Sequence, residues 1–369
     1  MSRNNNNTRP ARRLINRSGI RLYTLLFLLC LLHLQCGKSA KPTVTPENPV
    51  ANDTFANPLQ SGADPWVYQK DGFYYYLQTT GNNIRLWKTD AMSRLAAATA
   101  QTVFSPTPGA ANSRNIWAPE LHYLDNKWYI YYTAGSGEDL SQRTWVLENS
   151  SPDPTSGTWT DKGRIFSTGA DFWAIDGTVM QYQGNNYFIW SGRPDHSNAN
   201  LTQNLYMAKM SNPWTLEAQA TLLSTPQFAW ERSGFGVNEA PESLTGPSGT
   251  QFLVYSASYC GTDDYALGML TLKTGGDPMN PSDWTKTEQP VFSKQPQNNA
   301  FGPGHVAFFK SPDNKENWLV YHANSNSGQG CAEGRNIRIQ QFSFSTSGIP
   351  VFQEPRATGL QIKKPSGEK

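Results

Sequence analysis

The segment Lys127-Trp-Tyr-Ile-Tyr-Tyr-Thr-Ala134 decides the fold. It consists mainly of aromatic and β-branched residues, and the turn signal Asp125-Asn126 precedes it. This composition is typical of a buried strand. A second strand-like run, Thr144-Trp-Val-Leu147, follows it. The region therefore predicts neighbouring strands joined by short turns.

Four other segments share this shape, each after a turn signal and before another strand-like run. They are Phe73-Tyr-Tyr-Tyr-Leu-Gln-Thr-Thr80, Asn186-Tyr-Phe-Ile-Trp-Ser-Gly192, Gln251-Phe-Leu-Val-Tyr-Ser-Ala-Ser258 and Asn317-Trp-Leu-Val-Tyr-His-Ala-Asn324. A shorter strand-like run precedes each of the five, and it begins near an acid or a histidine. These markers are Asp64, Glu120, Asp176, Glu239 and His305.

The markers are 56, 56, 63 and 66 residues apart. A repeat of this size with three or four antiparallel strands is typical of one propeller blade. We therefore predict an all-β fold, a five-bladed β-propeller over residues 59–360, followed by a tail at 361–369. Because charged residues make up only 16% of the 369-residue chain and aromatic residues 12%, a coiled coil, a collagen and an acidic disordered chain are excluded.

The formal net charge is +2, and there is no long basic run. Nucleic acid is therefore not an expected partner, and we expect a monomer. Residues 1–36 contain six arginines and no acid, and the apolar run Leu22–Leu34 lies within them. As a helix, 13 residues span about 20 Å, short of the roughly 30 Å hydrocarbon core. This pattern predicts an export signal rather than a membrane-spanning helix.

Cys36 lies two residues after the end of the apolar run and resembles the acceptor cysteine of a bacterial lipoprotein. We expect lipidation there, a flexible tether at 37–58, and a location at the outer membrane, the cell surface or the periplasm. A lipid anchor would be the only link to a membrane. Ordinary secretion, with Cys36 removed or idle, is the alternative. Cys260 and Cys331 are the cysteines left in the exported part, and they form either a disulfide or two free thiols.

In a propeller the innermost strands line the central channel, so the five marker residues should converge at one end of the axis. A single acid at a strand start is ordinarily a turn former. A matched set in successive repeats is different, because repulsion between buried carboxylates is costly unless they have a use. Two separated carboxyl groups in a cleft are what glycoside hydrolysis needs: one donates a proton to the leaving oxygen, and the other activates water or attacks carbon.

Five motifs in order then carry a family resemblance. They are Gly62-Ala-Asp64-Pro-Trp-Val, Trp117-Ala-Pro-Glu120, Ala174-Ile-Asp176-Gly-Thr, Asn238-Glu239-Ala-Pro and Gly302-Pro-Gly-His305. Together they resemble glycoside hydrolase family 43, whose members are five-bladed propellers with an inverting mechanism. The resemblance implies that Asp64 is the general base, Glu239 the general acid, and Asp176 the residue that tunes the pKa of Glu239 and orients it.

Glu242 competes for the acid role, but strand alternation predicts that it faces away from Glu239. By resemblance, Glu120 is a wall or substrate contact. Arg335 is a further candidate contact to substrate or to a carboxylate. His305 resembles a channel histidine found near a bound water or calcium, with a purely structural role as the alternative. No other cofactor is expected.

The partner implied by the resemblance is an oligo- or polysaccharide. Aromatic side chains near the motifs are candidate subsite walls, with blade packing as the alternative; they are Trp117, Phe172, Trp173, Trp230 and Phe235. The segments Tyr255–Cys260, Asp264–Met269 and Tyr321–Asn324 look most like arabinofuranosidase-type members. We therefore expect exo-release of terminal α-L-arabinofuranose from arabinan or arabinoxylan.

Other functions compete with this one. Within the family, β-xylosidase, galactofuranosidase and endo-arabinanase activities remain open. The β-fructosidase group is disfavoured because the expected Asn-Asp-Pro-Asn, Arg-Asp-Pro and Glu-Cys-Pro motifs are replaced by Ala63-Asp-Pro-Trp, Ile175-Asp-Gly and Glu239-Ala-Pro. A non-catalytic glycan-binding lipoprotein is disfavoured because all three acids are present. A serine hydrolase is disfavoured because no G-x-S-x-G motif occurs.

Overall fold

Five antiparallel sheets surround one axis in the computed structural model, which describes residues 53–194, 198–331 and 334–369. The first strand of each sheet contacts the first strand of the next, and the last contacts the first, so the ring is closed. The predicted all-β, five-bladed propeller is confirmed. Residues 1–36 with Cys36, and the tether up to residue 52, lie outside the described residues.

The strands are numbered in chain order. Two short strands come first, β1 (Thr54–Ala56) and β2 (Gln60–Ser61). Blade 1 comprises β3 (Trp66–Lys70), β4 (Phe73–Leu77), β5 (Ile84–Thr89) and β6 (Ala100–Phe104). Blade 2 comprises β7 (Arg114–Leu124), β8 (Lys127–Gly135), β9 (Arg143–Asn149) and β10 (Thr160–Arg164). Blade 3 comprises β11 (Trp173–Tyr182), β12 (Asn185–Arg193), β13 (Asn204–Asn212) and β14 (Thr215–Ser224).

Blade 4 comprises β15 (Asn238–Thr245), β16 (Gln251–Ala257), β17 (Ala266–Leu272) and β18 (Trp284–Lys286). Blade 5 comprises β19 (Phe301–Lys310), β20 (Asn317–Asn324) and β21 (Arg335–Phe344), with β2 on one side of β21 and β22 (Pro350–Val351) also paired to it. The last strand is β23 (Gln361–Lys363). The helices of the described residues are 3₁₀ turns at Met92–Ala97, Asp139–Ser141, Ala229–Glu231, Pro281–Asp283 and Pro296–Asn298. In these same ranges no helix has the length and apolar character needed to cross a bilayer.

The aromatic second strand of each blade is buried on both faces, which explains its sequence. In β8, Trp128, Ile130 and Tyr132 pack toward blade 1. Tyr129 and Tyr131 of the same strand pack toward blade 3. The same alternation fills every interface between blades, so the core consists of five apolar wedges rather than one centre. Strands buried on both faces read as nearly continuous apolar runs.

Short strands at both ends of the propeller pair with other strands, so the ordered domain extends beyond the predicted residues 59–360. β2 closes blade 5 by pairing with β21, Gln60 opposite Ile337 and Ser61 opposite Asn336. Outside the predicted range 59–360, β1 pairs with β23. Hydrogen bonds from strand to strand therefore order part of the segment predicted as a tether and part of the predicted tail. The closure also brings Asp64, three residues after β2, next to Arg335, the first residue of β21.

Candidate active site

A non-glycine residue with a left-handed backbone recurs at a matching position in or just before the inner strand of every blade. These residues are Asp64, Ala118, Asp176, Ala240 and His305, with φ between 42° and 55°. In the inner strands of blades 2 to 5 the pairing register shifts around this residue, as in a β-bulge. Non-glycine residues rarely adopt this conformation, which costs about 1–3 kcal/mol where it occurs. Its recurrence indicates a feature that each blade needs.

The main-chain N–H of each of these five residues donates a hydrogen bond to a side chain of the preceding blade. The pairs are Asp64 with His322 Nδ1 (3.1 Å), Ala118 with Thr79 Oγ1 (2.8 Å), Asp176 with Thr133 Oγ1 (3.1 Å), Ala240 with Asp176 Oδ2 (3.1 Å) and His305 with Ser256 Oγ (2.8 Å). This bulge ring links all five blades. The five marker residues were expected to occupy equivalent positions in their blades, and the bulge ring corrects this for two of them. Glu120 lies two residues after the equivalent residue, Ala118, and Glu239 lies one residue before the equivalent residue, Ala240.

A cavity of about 500 Å³ opens at this end of the axis, and every blade contributes to its wall. Asp64, Asp176 and Glu239 all line it, together with His305 and Arg335. The structure therefore brings together the three acids, His305 and the separately predicted Arg335.

Asp64 is held as an anion at one side of this cavity. Arg335 Nη1 lies 3.0 Å from its Oδ1, and the hydroxyl of Thr79 donates to its Oδ2 over 2.6 Å. Burial by itself would raise the pKa of Asp64. The positive charge of Arg335 is the largest cause that offsets burial, and the pKa of Asp64 lies well below its usual range. An ionised carboxylate in this position is able to accept a proton from water.

Glu239 has the opposite character. Burial is the main cause that raises its pKa to about 7, and the negative charge of Asp64 adds to the rise. Hydrogen bonds from Tyr265 and Gln203 and the charge of Arg335 work against it. The Tyr265 hydroxyl donates to Glu239 Oε1 over 2.8 Å. At slightly acidic pH Glu239 therefore carries a proton that it is able to donate.

Asp176 lines the same cavity as these two groups. Burial, followed by the charges of Glu239 and Asp64, raises the pKa of Asp176 well above its usual range. The N–H of Ala240, the residue after Glu239, donates to Asp176 Oδ2. Because repulsion between two carboxylates is mutual, the Asp176–Glu239 pair keeps a proton to higher pH than either group would alone. The same hydrogen bond fixes Asp176 against the backbone that carries Glu239.

Glu120 was expected to contact substrate, and the structure corrects this. Its side chain is buried, does not line the cavity, and lies 3.0 Å from Nε2 of His122. Glu242 was expected on the opposite face from Glu239. It is buried close to Glu120, and burial, followed by the charge of Glu120, raises the pKa of Glu242 well above the usual range. The bulge at Ala240 changes the alternation between Glu239 and Glu242. Both acids belong to the interior next to the site.

The aromatic candidates divide into two groups. Trp117, Trp173 and Phe235 line the cavity, as expected of subsite walls. Phe172 instead packs between blades 2 and 3, with its ring centroid 4.9 Å from that of Tyr206. Trp230 packs toward the core between blades 3 and 4, and its indole N–H donates to Glu288 O over 2.9 Å. The prediction that Phe172 and Trp230 form subsite walls was therefore wrong, because their rings pack between blades.

Cys260 and Cys331 form a disulfide, so the first of the two predicted alternatives is confirmed. Cys260 lies in the loop between β16 and β17, and Cys331 lies in the loop between β20 and β21. Both half-cystines line the catalytic cavity. The bond therefore joins blades 4 and 5 at the wall of the site itself.

The surroundings of His305 do not fit a calcium ion. Ca²⁺ binds six to eight oxygen atoms. His305 Nδ1 lies 3.4 Å from Asp64 Oδ1, and that oxygen already contacts the cationic Arg335. Burial lowers the pKa of His305 to about 4, so its ring is neutral at ordinary pH. Among the described residues, no group of three or more His, Cys, Asp or Glu side chains is arranged to hold a metal ion.

Sequence reasoning missed four residues that shape the site: Thr79, Gln203, Tyr265 and His322. Burial lowers the pKa of His322, and its neutral Nδ1 accepts the N–H of Asp64. Since this nitrogen accepts, it does not also donate to the Asp64 carboxylate, and Arg335 is the stronger reason for the ionised state. These residues lie in or beside second and third strands, outside the five motifs. The signal in the sequence that could have found them is their place in the neighbouring strands, next to the marker residues of the inner strands.

The model of a family described as "Glycosyl hydrolases family 43" matches residues 55–350. The chain belongs to glycosyl hydrolase family 43. It is therefore a glycosidase, as the motif resemblance implied.

Individual family 43 relatives are similar over most of their length. An "Extracellular exo-alpha-(1->5)-L-arabinofuranosidase" of Streptomyces avermitilis is 36% identical, over 94% of this chain and 72% of the relative. A protein of the same description from Streptomyces chartreusis is 38% identical, over 73% of this chain and 82% of the relative. The crystal structure of an α-L-arabinofuranosidase from Lactobacillus brevis has a TM-score of 0.77 and 33% identity, over 83% of this chain and 98% of that one.

Proposed function

We propose that this family 43 enzyme is an inverting exo-α-L-arabinofuranosidase that releases terminal arabinofuranose from arabinan or arabinoxylan. The observation that carries the proposal is the pair of opposite pKa shifts in one cavity, low for Asp64 and about 7 for Glu239. Two carboxyl groups whose surroundings separate their pKa values have the division of labour that acid–base hydrolysis requires. The described activity of the relatives supports the choice of sugar.

In the proposed reaction, Asp64 takes a proton from a water molecule as that water attacks the anomeric carbon. Glu239 gives its proton to the leaving glycosidic oxygen as the bond from carbon to oxygen breaks. Asp176 is the positioning residue, because it accepts a hydrogen bond from the N–H of Ala240 and shares with Glu239 the proton that the pair retains. Arg335 and Thr79 orient Asp64. We propose that no cofactor is needed, since Asp64 itself activates water; hydrolysis should survive dialysis against EDTA.

The test of activity uses α-1,5-linked arabino-oligosaccharides and a panel of nitrophenyl furanosides and pyranosides. Arabinose should be the product, and the anomer formed first, followed by NMR, should be inverted relative to the substrate. Turnover of only the β-xyloside, or of only the galactofuranoside, would replace the proposed sugar. Internal cleavage of arabinan would mean an endo-acting enzyme, and a retained anomer would contradict the base role of Asp64. The variant D64N should lose hydrolysis, which separates catalysis from glycan binding alone.

We further propose export, with Cys36 lipidated and the protein anchored at the outer membrane or the cell surface as a monomer. The two Streptomyces relatives are named extracellular, which supports export. The Cys260–Cys331 disulfide also fits an oxidising compartment. Incorporation of labelled fatty acid that C36A abolishes would test the anchor. Light scattering of the purified protein would test the oligomeric state.

A further inference from the structure

Tyr259 is a large aromatic residue exposed at the catalytic cavity. It lines the cavity, and 39% of its surface is accessible to solvent. Its ring is stacked on that of Phe235, with 4.6 Å between centroids and 29° between planes. An exposed aromatic face is costly to keep in water unless something covers it. The C–H face of a sugar ring is a suitable cover.

The loop that carries Tyr259 is fixed in place rather than free. Ser258, just before it, has a φ of 70°, and its hydroxyl donates to Trp230 O over 2.7 Å. The N–H of Tyr259 donates to Ser233 O over 3.0 Å, and Asp263 accepts the N–H of Gly328 over 2.9 Å. The Cys260–Cys331 disulfide adds a covalent link to blade 5. These contacts preorganise the aromatic face, which lowers the entropy cost of binding.

The position of Tyr259 relative to Glu239 decides which part of a substrate it meets. Phe235 lies four residues before Glu239, and Tyr259 lies in the loop that leads to Tyr265, the donor to Glu239. All of them belong to blade 4 or to the segment that enters it. A general acid has to reach the leaving oxygen, so the sugar attached to that oxygen lies on the side of the acid. Asp64, on blade 1, marks the other side.

We propose that Tyr259, stacked on Phe235 and held by the Cys260–Cys331 disulfide, forms the subsite for the sugar on the leaving-group side of the scissile bond. The ligand class is a neutral pyranose or furanose ring that presents a C–H face. The inference rests on the proposed exo-arabinofuranosidase activity. It makes the disulfide a positioning element of substrate binding, in addition to a link between blades.

The experiment compares two substrates that have the same terminal sugar: α-1,5-arabinobiose and methyl α-L-arabinofuranoside. Only the first has a second ring to place on Tyr259. Y259A should lower kcat/KM for arabinobiose about 5- to 10-fold, mainly through KM, and leave the methyl glycoside within about twofold. Y259F should behave like the wild type because the ring is kept. The paired variant C260S/C331S, and wild type treated with a reductant, should show the same selective loss.

Phe73→Ala is the matched control, because Phe73 is 38% exposed and lies outside the catalytic cavity. It should leave both substrates unchanged. An equal loss on both substrates in Y259A would show that the loop only supports the fold, and no loss on either would show that no sugar binds there. If the wild type cleaves only xylosides, the proposed sugar is wrong, and xylobiose against methyl β-xyloside then tests the subsite by the same comparison.

Discussion

The hydroxyl of Tyr265 donates a hydrogen bond to Oε1 of Glu239 over 2.8 Å, with both side chains buried in blade 4. The bond favours the ionised form of Glu239 and so opposes the rise of its pKa caused by burial. In Y265F the pKa of Glu239 should therefore rise further. Because the acid must be protonated, the alkaline limb of the kcat/KM profile should shift to higher pH, and kcat should fall by less than about tenfold.

Y255F is the control for this variant. Tyr255 is also buried in blade 4, but its hydroxyl donates to Glu231 Oε1 over 3.0 Å and makes no contact with Glu239. Y255F should leave the alkaline limb where it is in the wild type. A shift of equal size in both variants would mean that loosening of blade 4, and not the bond to Glu239, moves the profile.

Arg335 should control the acid limb of the same profile. Its charge is the largest cause that lowers the pKa of Asp64. The base acts only when ionised, so activity is lost as the pH falls through this pKa. R335Q removes the cation and should raise the pKa, so the loss should begin at higher pH than in the wild type. R335K keeps the charge and should give a smaller shift. Initial rates over a range of acidic pH would measure both, and an unchanged limb in R335Q would contradict the ion pair.

Glu239→Gln should separate proton donation from the rest of catalysis. Loss of a general acid costs about 10²- to 10⁴-fold. We expect this loss with arabino-oligosaccharides and a much smaller one with an activated aryl glycoside, whose leaving group needs no proton. The alkaline limb near pH 7, which reflects the pKa of Glu239, should disappear. Glu242→Gln is the matched control, because Glu242 is buried outside the cavity wall. If E242Q instead loses the limb, the acid has been misassigned.

The sequence predicts the fold through a physical regularity that needs no tertiary information. Each second strand is buried on both faces, so residues such as Trp128 and Tyr129 form an apolar run that recurs once per blade. The acids at the inner strands follow the same period. For this reason the five blades, and the meeting of Asp64, Asp176 and Glu239 in one cavity, could be predicted.

The wrong placement of Glu242 traces to a β-bulge, which adds one residue to the inner strand. Alternation assumes a regular strand, whereas a bulge at Ala118 and at Ala240 changes the facing of the residues that follow. Glu242 was misplaced for this reason, whereas the role expected of Glu120 came from the family motif and not from alternation. Tyr265 and His322 were missed because their roles depend on contacts between strands far apart in the chain. Phe172 and Trp230 show that an aromatic residue beside a motif is as suited to packing as to binding.

Thr133 should be required for the position of Asp176, because its Oγ1 accepts the N–H of Asp176 over 3.1 Å within the bulge ring. In T133V this buried N–H has no acceptor, which costs about 1–3 kcal/mol in the free energy of unfolding. Displacement of Asp176 should also lower kcat/KM, whereas T133S should restore both properties. T144V is the matched control, since Thr144 is buried in the same blade and donates to Ile165 O over 2.9 Å, away from the cavity. It should lower stability, measured by urea denaturation, without lowering activity. Equal loss of activity in T133V and T144V would mean that the bulge ring has no special part in placing the acids.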